Sequence, residues 1–325
     1  MSNTATNPGF AGNTLEGVRR WIPALLVILA CGNEVALDTP WDRRARMDVP
    51  RSEMPAVVLN DQVWVLGGLT NSVLGVSGSR VVEVYDPATD TWSAGPDLPE
   101  GRHHVMAAVV GEDLYLIGGM IEDSFTPSDL AWRLRAGVWE EIASLPAPRA
   151  AGAAVAAGDS IYVIGGVPDG ASVLRFDVVT GEWSETAPLA VAREHTAAAF
   201  YGGRIYVAGG RWNGEMLSSV EGFDARSRQW SAGPDLLEAR SGFALVGFDD
   251  GLVALGGEVF DPTNSLASVE VLAGEQWQPG PVLPEGLHGV PAAVVDGTVY
   301  VLVGSRRAGD VDNAGDVWAL DVNDL

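Results

Sequence analysis

Five arginines recur once per roughly 47 residues: Arg51, Arg102, Arg149, Arg193 and Arg240. All four histidines fall beside this series or at its sixth place, as His103, His104, His195 and His288, and so do Glu53 and Glu194. Guanidinium groups grip carboxylates in a two-pronged way. Gathered on one surface, they would take an anionic sugar, a carboxylate metabolite or an acidic peptide. Imidazole and carboxylate offer two other chemistries. They can exchange protons near neutral pH, with His104, His195, Glu53 and Glu194 as candidates. They can also hold a divalent ion, through neutral imidazoles and Glu53. The histidines are spaced by repeat and form no local metal motif, so satisfied or solvated histidines are the simpler expectation, and no metal or other cofactor is expected. A residue repeated at this period can equally serve the scaffold, by bonding backbone carbonyls or acids of the next unit.

The elements that position these residues are also repeated. The fragments WVLGG, YLIGG, YVIGG, YVAGG, VALGG and YVLVG recur. Their first glycines are Gly67, Gly118, Gly165, Gly209 and Gly256; in the sixth copy Val303 takes that place, before Gly304. A tryptophan follows in five copies, at Trp92, Trp139, Trp183, Trp230 and Trp277, and seven residues before the first four stands an aromatic, Tyr85, Trp132, Phe176 or Phe223. Alternation and β-branched residues predict four short antiparallel strands per copy. The inner strand runs through segments such as MAAVV, where small residues suit a crowded centre. Glycine at a strand end lets a neighbouring backbone approach closely. One such sheet cannot bury both faces alone, whereas radial stacking does.

Double glycine, spaced aromatic and tryptophan, recurring in phase over residues 41–325, resemble the Kelch repeat. The WD repeat is rejected because the Trp-Asp dipeptide occurs once, at Trp41-Asp42. The resemblance implies an all-β fold, a six-bladed Kelch-type β-propeller like the central domain of galactose oxidase. Leu320-Asp321 aligns with Tyr85-Asp86, but no tryptophan follows it. Trp41 supplies the missing mark, so the N-terminal segment is expected to pair into the last blade and close the ring, leaving only short edges.

In such blades the turn into the inner strand and the turn between strands two and three share one face. That face would collect the arginines and histidines, with Leu287 at the sixth arginine position. Loops 69–80, 120–129, 258–267 and 305–316 would overhang it, adding Arg211, Trp212, Arg306 and Arg307. The expected ligand site is therefore a rim of Arg51, Arg102, Arg149, Arg193, Arg240 and Arg211. Kelch adaptors of eukaryotes hold acidic peptides with arginines at places matching Arg240 and Arg211. Bacterial six-bladed Kelch proteins also include an N-acetylneuraminate epimerase, which makes sugar mutarotation the alternative to a pure binding role. Copper chemistry like that of galactose oxidase needs a cysteine cross-linked to tyrosine, and the chain's one cysteine, Cys31, lies outside the repeats. The DVDNAGD segment, Asp310 to Asp316, lacks the closing glutamate of a calcium loop and reads as a solvated loop.

The chain has 325 residues and a net charge of −23, and all twenty of its cationic side chains are arginine. Such a chain repels phosphate backbones, which excludes nucleic acid as a partner. At the start, VRRWIPALLVILACGNE places two arginines before an apolar run from Trp21 to Ala30, too short to span a bilayer. Ile28, Leu29, Ala30 and Cys31 resemble a bacterial lipoprotein signal, which implies lipidation of Cys31. The expected organisation is an upstream extension and export signal over 1–30, a linker over 31–40 and the propeller over 41–325. The expectation is thus an exported, monomeric, lipid-anchored binding module, tethered without a spanning helix.

Overall fold

The computed structural model describes residues 39–72, 75–121 and 124–325. Cys31, the export signal and all but the end of the linker lie outside these residues. Six four-stranded antiparallel sheets follow one another along the chain. Blade 1 contains Ala56–Leu59, Gln62–Leu66, Val82–Asp86 and Thr91–Ala94. The inner strands of blades 2 to 6 are Met106–Val110, Ala153–Ala157, Ala197–Tyr201, Ala244–Phe248 and Ala292–Val295. A buried apolar cluster fills each space between neighbouring blades, including that between blades 6 and 1.

Closure occurs as the repeat phase requires. The strand Asp42–Arg44 pairs with the third strand of blade 6, with Asp42 opposite Ala319 and Arg44 opposite Val317. Trp41 is buried among Val269, Leu283 and Trp318. Its indole then continues a series. Each tryptophan Nε1 donates to the carbonyl four residues beyond the tryptophan of the preceding blade: Trp92 to Ala45, Trp139 to Pro96, Trp183 to Ala143, Trp230 to Ala187, Trp277 to Pro234 and Trp41 to Pro281. The distances run from 2.8 to 3.1 Å. The aromatic mark stacks on its tryptophan across the hairpin in three blades, as Tyr85 does on Trp92 with centroids 5.1 Å apart. Blade 2 differs. Its tighter hairpin shifts the pairing by two residues, so Leu134 faces Trp139 and Trp132 faces Glu141.

A second circle forms at the axis. The residue two places beyond each arginine position adopts a left-handed backbone, with φ of 55° at Glu53, 50° at His104, 55° at Ala151, 48° at His195, 57° at Gly242 and 55° at Gly289. This turn aims each N–H at the same position of the preceding blade. His104 donates to Glu53, Ala151 to His104, His195 to Ala151, Gly242 to His195, Gly289 to Gly242, and Glu53 back to Gly289, at 2.6 to 2.9 Å. The six bonds make a closed ring of backbone amides around the channel mouth.

Replacing Trp41 by Ala removes both the buried ring and its hydrogen bond, and should lower unfolding free energy by about 3–5 kcal/mol. Trp41→Phe keeps a buried ring but loses the donor and part of the buried surface, and should cost less, about 1–3 kcal/mol. Denaturant unfolding followed by fluorescence measures both. Parent-like stability of the alanine variant would show that this segment does not close the ring.

Candidate functional site

The repeated arginines are fixed inside the scaffold. Arg51, Arg102, Arg193 and Arg240 are fully buried and Arg149 is nearly so. The guanidinium of each of the last four in sequence reaches the carbonyl of the first glycine in its own blade: Arg102 to Gly118 at 3.2 Å, Arg149 to Gly165 at 3.1 Å, Arg193 to Gly209 and Arg240 to Gly256 at 2.8 Å. The same arginine's backbone carbonyl accepts the N–H of the second glycine of the preceding blade, from Gly68 to Arg102 at 2.8 Å onward. The first glycine of blade 1 leaves no room for a side chain: a Cβ on Gly67 would lie 2.6 Å from the Arg102 oxygen, and its φ is +63°. Each of these four arginines therefore ties two adjacent blades together, one through its side chain and one through its main chain.

Three of these arginines also meet a buried glutamate. Arg51 pairs with Glu83 at 2.6 Å, Arg193 with Glu221 at 3.0 Å and Arg240 with Glu270 at 2.5 Å. Each glutamate also accepts two backbone N–H groups from the segment leading to its arginine, such as Ala190 and Val191 on Glu221. Sequence reasoning missed these glutamates. Their signal is a glutamate two residues before the aromatic mark, as in Glu83–Tyr85 and Glu221–Phe223. Arg102 instead pairs with Glu100 and lies over Trp132, 4.9 Å from the ring centroid. Blade 6 replaces both partners with apolar groups, Leu287 and Trp318, and buries them.

The expectation that Arg51, Arg102, Arg149, Arg193 and Arg240 line an anion site is thus corrected: all five are closed to solvent, and the bonds their side chains make go to carbonyls, hydroxyls and carboxylates of the scaffold, with Arg51 Nε and Nη2, Arg102 Nε and Arg149 Nε left unpaired. The acceptors lie mostly within the arginine's own blade, not in the next one. Arg211 is the member of the expected set that reaches the mouth. Its charge is met by Glu194 at 2.7 Å and Glu258 at 2.6 Å. Arg306 pairs with Glu285 and Asp316, and Arg307 lies 3.7 Å from Asp312. Trp212 packs on Gly170. In the 310–316 segment Asp316 is engaged by Arg43 and Arg306, and Asn313 by backbone carbonyls.

The axial ring brings together what the arginines do not. Three of its six positions, Ala151, Gly242 and Gly289, are small. The other three project Glu53, His104 and His195 into the mouth. His104 Nε2 lies 2.9 Å from His195 Nε2 and 3.4 Å from Glu53 Oε2. His195 Nδ1 bonds the Glu194 carboxylate, and His104 Nδ1 lies 2.6 Å from His103 Nδ1. A carboxylate only accepts, so the proton of this bond sits on His195 Nδ1, and Nε2 is the nitrogen that faces His104. Burial, followed by the neighbouring His195, His103 and Arg211, holds the pKa of His104 well below the usual histidine value, which keeps the ring neutral. Burial pushes the Glu194 carboxyl up, but the hydrogen bond with His195 and the charge of Arg211 outweigh it and hold it below its usual value. His288 stands behind Glu53, 3.8 Å from its second oxygen and 3.5 Å from Glu258.

Above this floor opens a cavity of about 360 Å³. Its walls come from the overhanging hairpins and carry Leu69, Val76, Met120, Phe125, Phe260 and Val311. Phe125 is 54% exposed and Phe260 40% exposed. The site is therefore a polar, titratable floor beneath an apolar collar.

Six four-stranded blades, the last completed by the strand Asp42–Arg44, define a six-bladed β-propeller. The Kelch motif profile matches residues 50–99 and 192–237. These stretches carry Arg51, Gly67-Gly68, Glu83, Tyr85 and Trp92 in one case and Arg193, Gly209-Gly210, Glu221, Phe223 and Trp230 in the other. The chain is 26% identical over 278 residues to Kelch-like protein terF of Aspergillus terreus, covering 80% of this chain and 51% of that protein. It is 30% identical over 259 residues to Kelch-like protein 36 of Mus musculus, covering 78% of this chain and 35% of that protein. It thus spans about half the length of the first relative and about a third of the second. The chain is a Kelch-repeat protein, and propellers of this kind typically serve as protein-interaction modules.

Substituting Arg240 by Leu strands the buried Glu270 carboxylate and should cost about 3–5 kcal/mol in unfolding free energy. Adding Glu270→Leu, which imitates the apolar pairing of blade 6, should cost less than the two single changes summed. Strict additivity in the double-mutant cycle would show that the pair does not interact.

Proposed function

We propose that this chain is an exported, lipid-anchored, monomeric Kelch propeller that acts as a binding module and takes a protein segment at its axial mouth. The observation that carries this reading is the collar: two exposed phenylalanines, Phe125 and Phe260, flank the mouth cavity that the axial side chains floor. Exposed aromatics at the edge of a cavity suit the anchoring side chain of a partner. The chemistry favoured is an apolar or aromatic side chain whose neighbours hydrogen-bond to the floor. An acidic peptide or carboxylate ligand is less well served, because the mouth offers it Arg211, already balanced by Glu194 and Glu258. Export and anchoring rest on the Trp21–Cys31 segment, which lies outside the described residues.

A second reading is favoured by the His195–Glu194 hydrogen bond at the cavity floor. An imidazole backed by a carboxylate, with Glu53 nearby, supplies the acid and base that sugar anomer exchange needs. Polarimetry of freshly dissolved sialic acid separates the two readings: a faster approach to equilibrium supports the enzyme, and an unchanged rate removes it.

A photo-cross-linking residue at position 125 or 260, in cells that express the full chain, should give a discrete protein adduct. The same residue at Phe200, which is exposed at the far end of an inner strand, should give none. Equal adducts at all three positions, or none at the mouth, would contradict a mouth-directed partner. Cys31→Ser should release the protein from the membrane fraction, and its retention there would remove the lipid anchor.

A further inference from the structure

We propose that Glu53, His104 and His195 bind one divalent transition-metal ion of the zinc class at the propeller axis, with its remaining coordination positions open to the mouth cavity. The inference does not depend on the partner reading. Its ground is the meeting of three ligand atoms from three blades, all within 4.8 Å of one another.

Two of the three spacings match those around an ion, and the third pair, His195 and Glu53, lies within 4.8 Å. Two ligand atoms about 2.0–2.1 Å from a metal, at roughly tetrahedral to right angles, lie about 2.9–3.4 Å apart. His104 Nε2 stands 2.9 Å from His195 Nε2 and 3.4 Å from Glu53 Oε2. Two imidazoles with one carboxylate, leaving positions free, is a donor set that suits zinc and its first-row neighbours.

The surroundings are those of a ligand set. A metal-bound imidazole usually directs its second nitrogen at a carboxylate or similar acceptor, which fixes the ring and its tautomer. His195 does this through Glu194. His104 has its Nδ1 against His103, so a proton on that nitrogen leaves Nε2 free for the ion. The second oxygen of Glu53 faces His288. Space for the carboxylate comes from Gly289, where a Cβ would lie 2.7 Å from Glu53 Oε1. The local charge also favours a dication. Glu53, Glu194 and Glu258 supply three carboxylates, against the single guanidinium of Arg211, which lies 3.2 Å from both ring nitrogens of His195.

The test uses the purified, untagged full chain, stripped with chelator and titrated with Zn²⁺ by calorimetry and with Co²⁺ by visible absorption. The expected result is one ion per chain, ligand-field absorption from Co²⁺ and a higher melting temperature with Zn²⁺. His104→Ala, His195→Ala and Glu53→Gln should each lower affinity by about two orders of magnitude or more. Asp312→Asn, in the acidic loop of blade 6, should leave it unchanged. The alanine variants should still fold, because Ala151 holds the equivalent ring position at φ 55°; their metal-free melting curves check this. Absence of binding, several weak equivalent ions, or an ion retained by the folded His104→Ala, His195→Ala double variant would each overturn the proposal.

Discussion

The ring of six backbone hydrogen bonds at the axis is the constraint on which the rest of this structure depends. Each member must leave its strand with a positive φ to aim its N–H at the blade before it. Glycine does this freely and most other residues do it at a cost. Two of the six positions are glycine and one is alanine, yet two histidines and a glutamate occupy the other three. Residues held in a sparsely populated conformation concentrate at functional sites, and here three of the four non-glycine positions are the ones whose side chains meet. The ring makes the meeting possible: Glu53, His104 and His195 are far apart in sequence, and they touch only because the circle of blades closes.

Two outer layers keep the ring closed. The tryptophan indoles link blades near the periphery, and the arginines link them nearer the axis. Both are side-chain-to-backbone devices that satisfy carbonyls which blade stacking would otherwise bury unpaired. The arginine layer carries a real desolvation cost, since burial lowers the pKa of Arg51, Arg102, Arg149, Arg193 and Arg240 alike. Blade 6 shows a way round it, with Leu287 and Trp318 in place of the charged pair.

The architecture was legible because its marks are local and repeated. The double glycines and tryptophans fall in phase, and the gap after Leu320 pointed to Trp41. The blade 2 pairing was not legible, because a hairpin two residues tighter moved Leu134 opposite Trp139 without altering the seven-residue spacing of Trp132. The axial side chains were picked out by type, but their contact depended on a backbone turn that no single residue announces. The arginines were misassigned for a physical reason. Guanidinium binds a ligand carboxylate and a buried carbonyl with the same donors, and sequence position alone does not show which acceptor is present. The glutamates at 83, 221 and 270 carried the clue, since a buried acid in phase with a repeated arginine marks a structural pair.

Native-state hydrogen exchange of the axial amides tests the account most directly. If the ring is closed, the N–H groups of Glu53, His104, Ala151, His195, Gly242 and Gly289 should all exchange only through global unfolding. Fast exchange at Glu53, the amide that completes the circle onto Gly289, alongside protection of the other five, would show an open ring and contradict it.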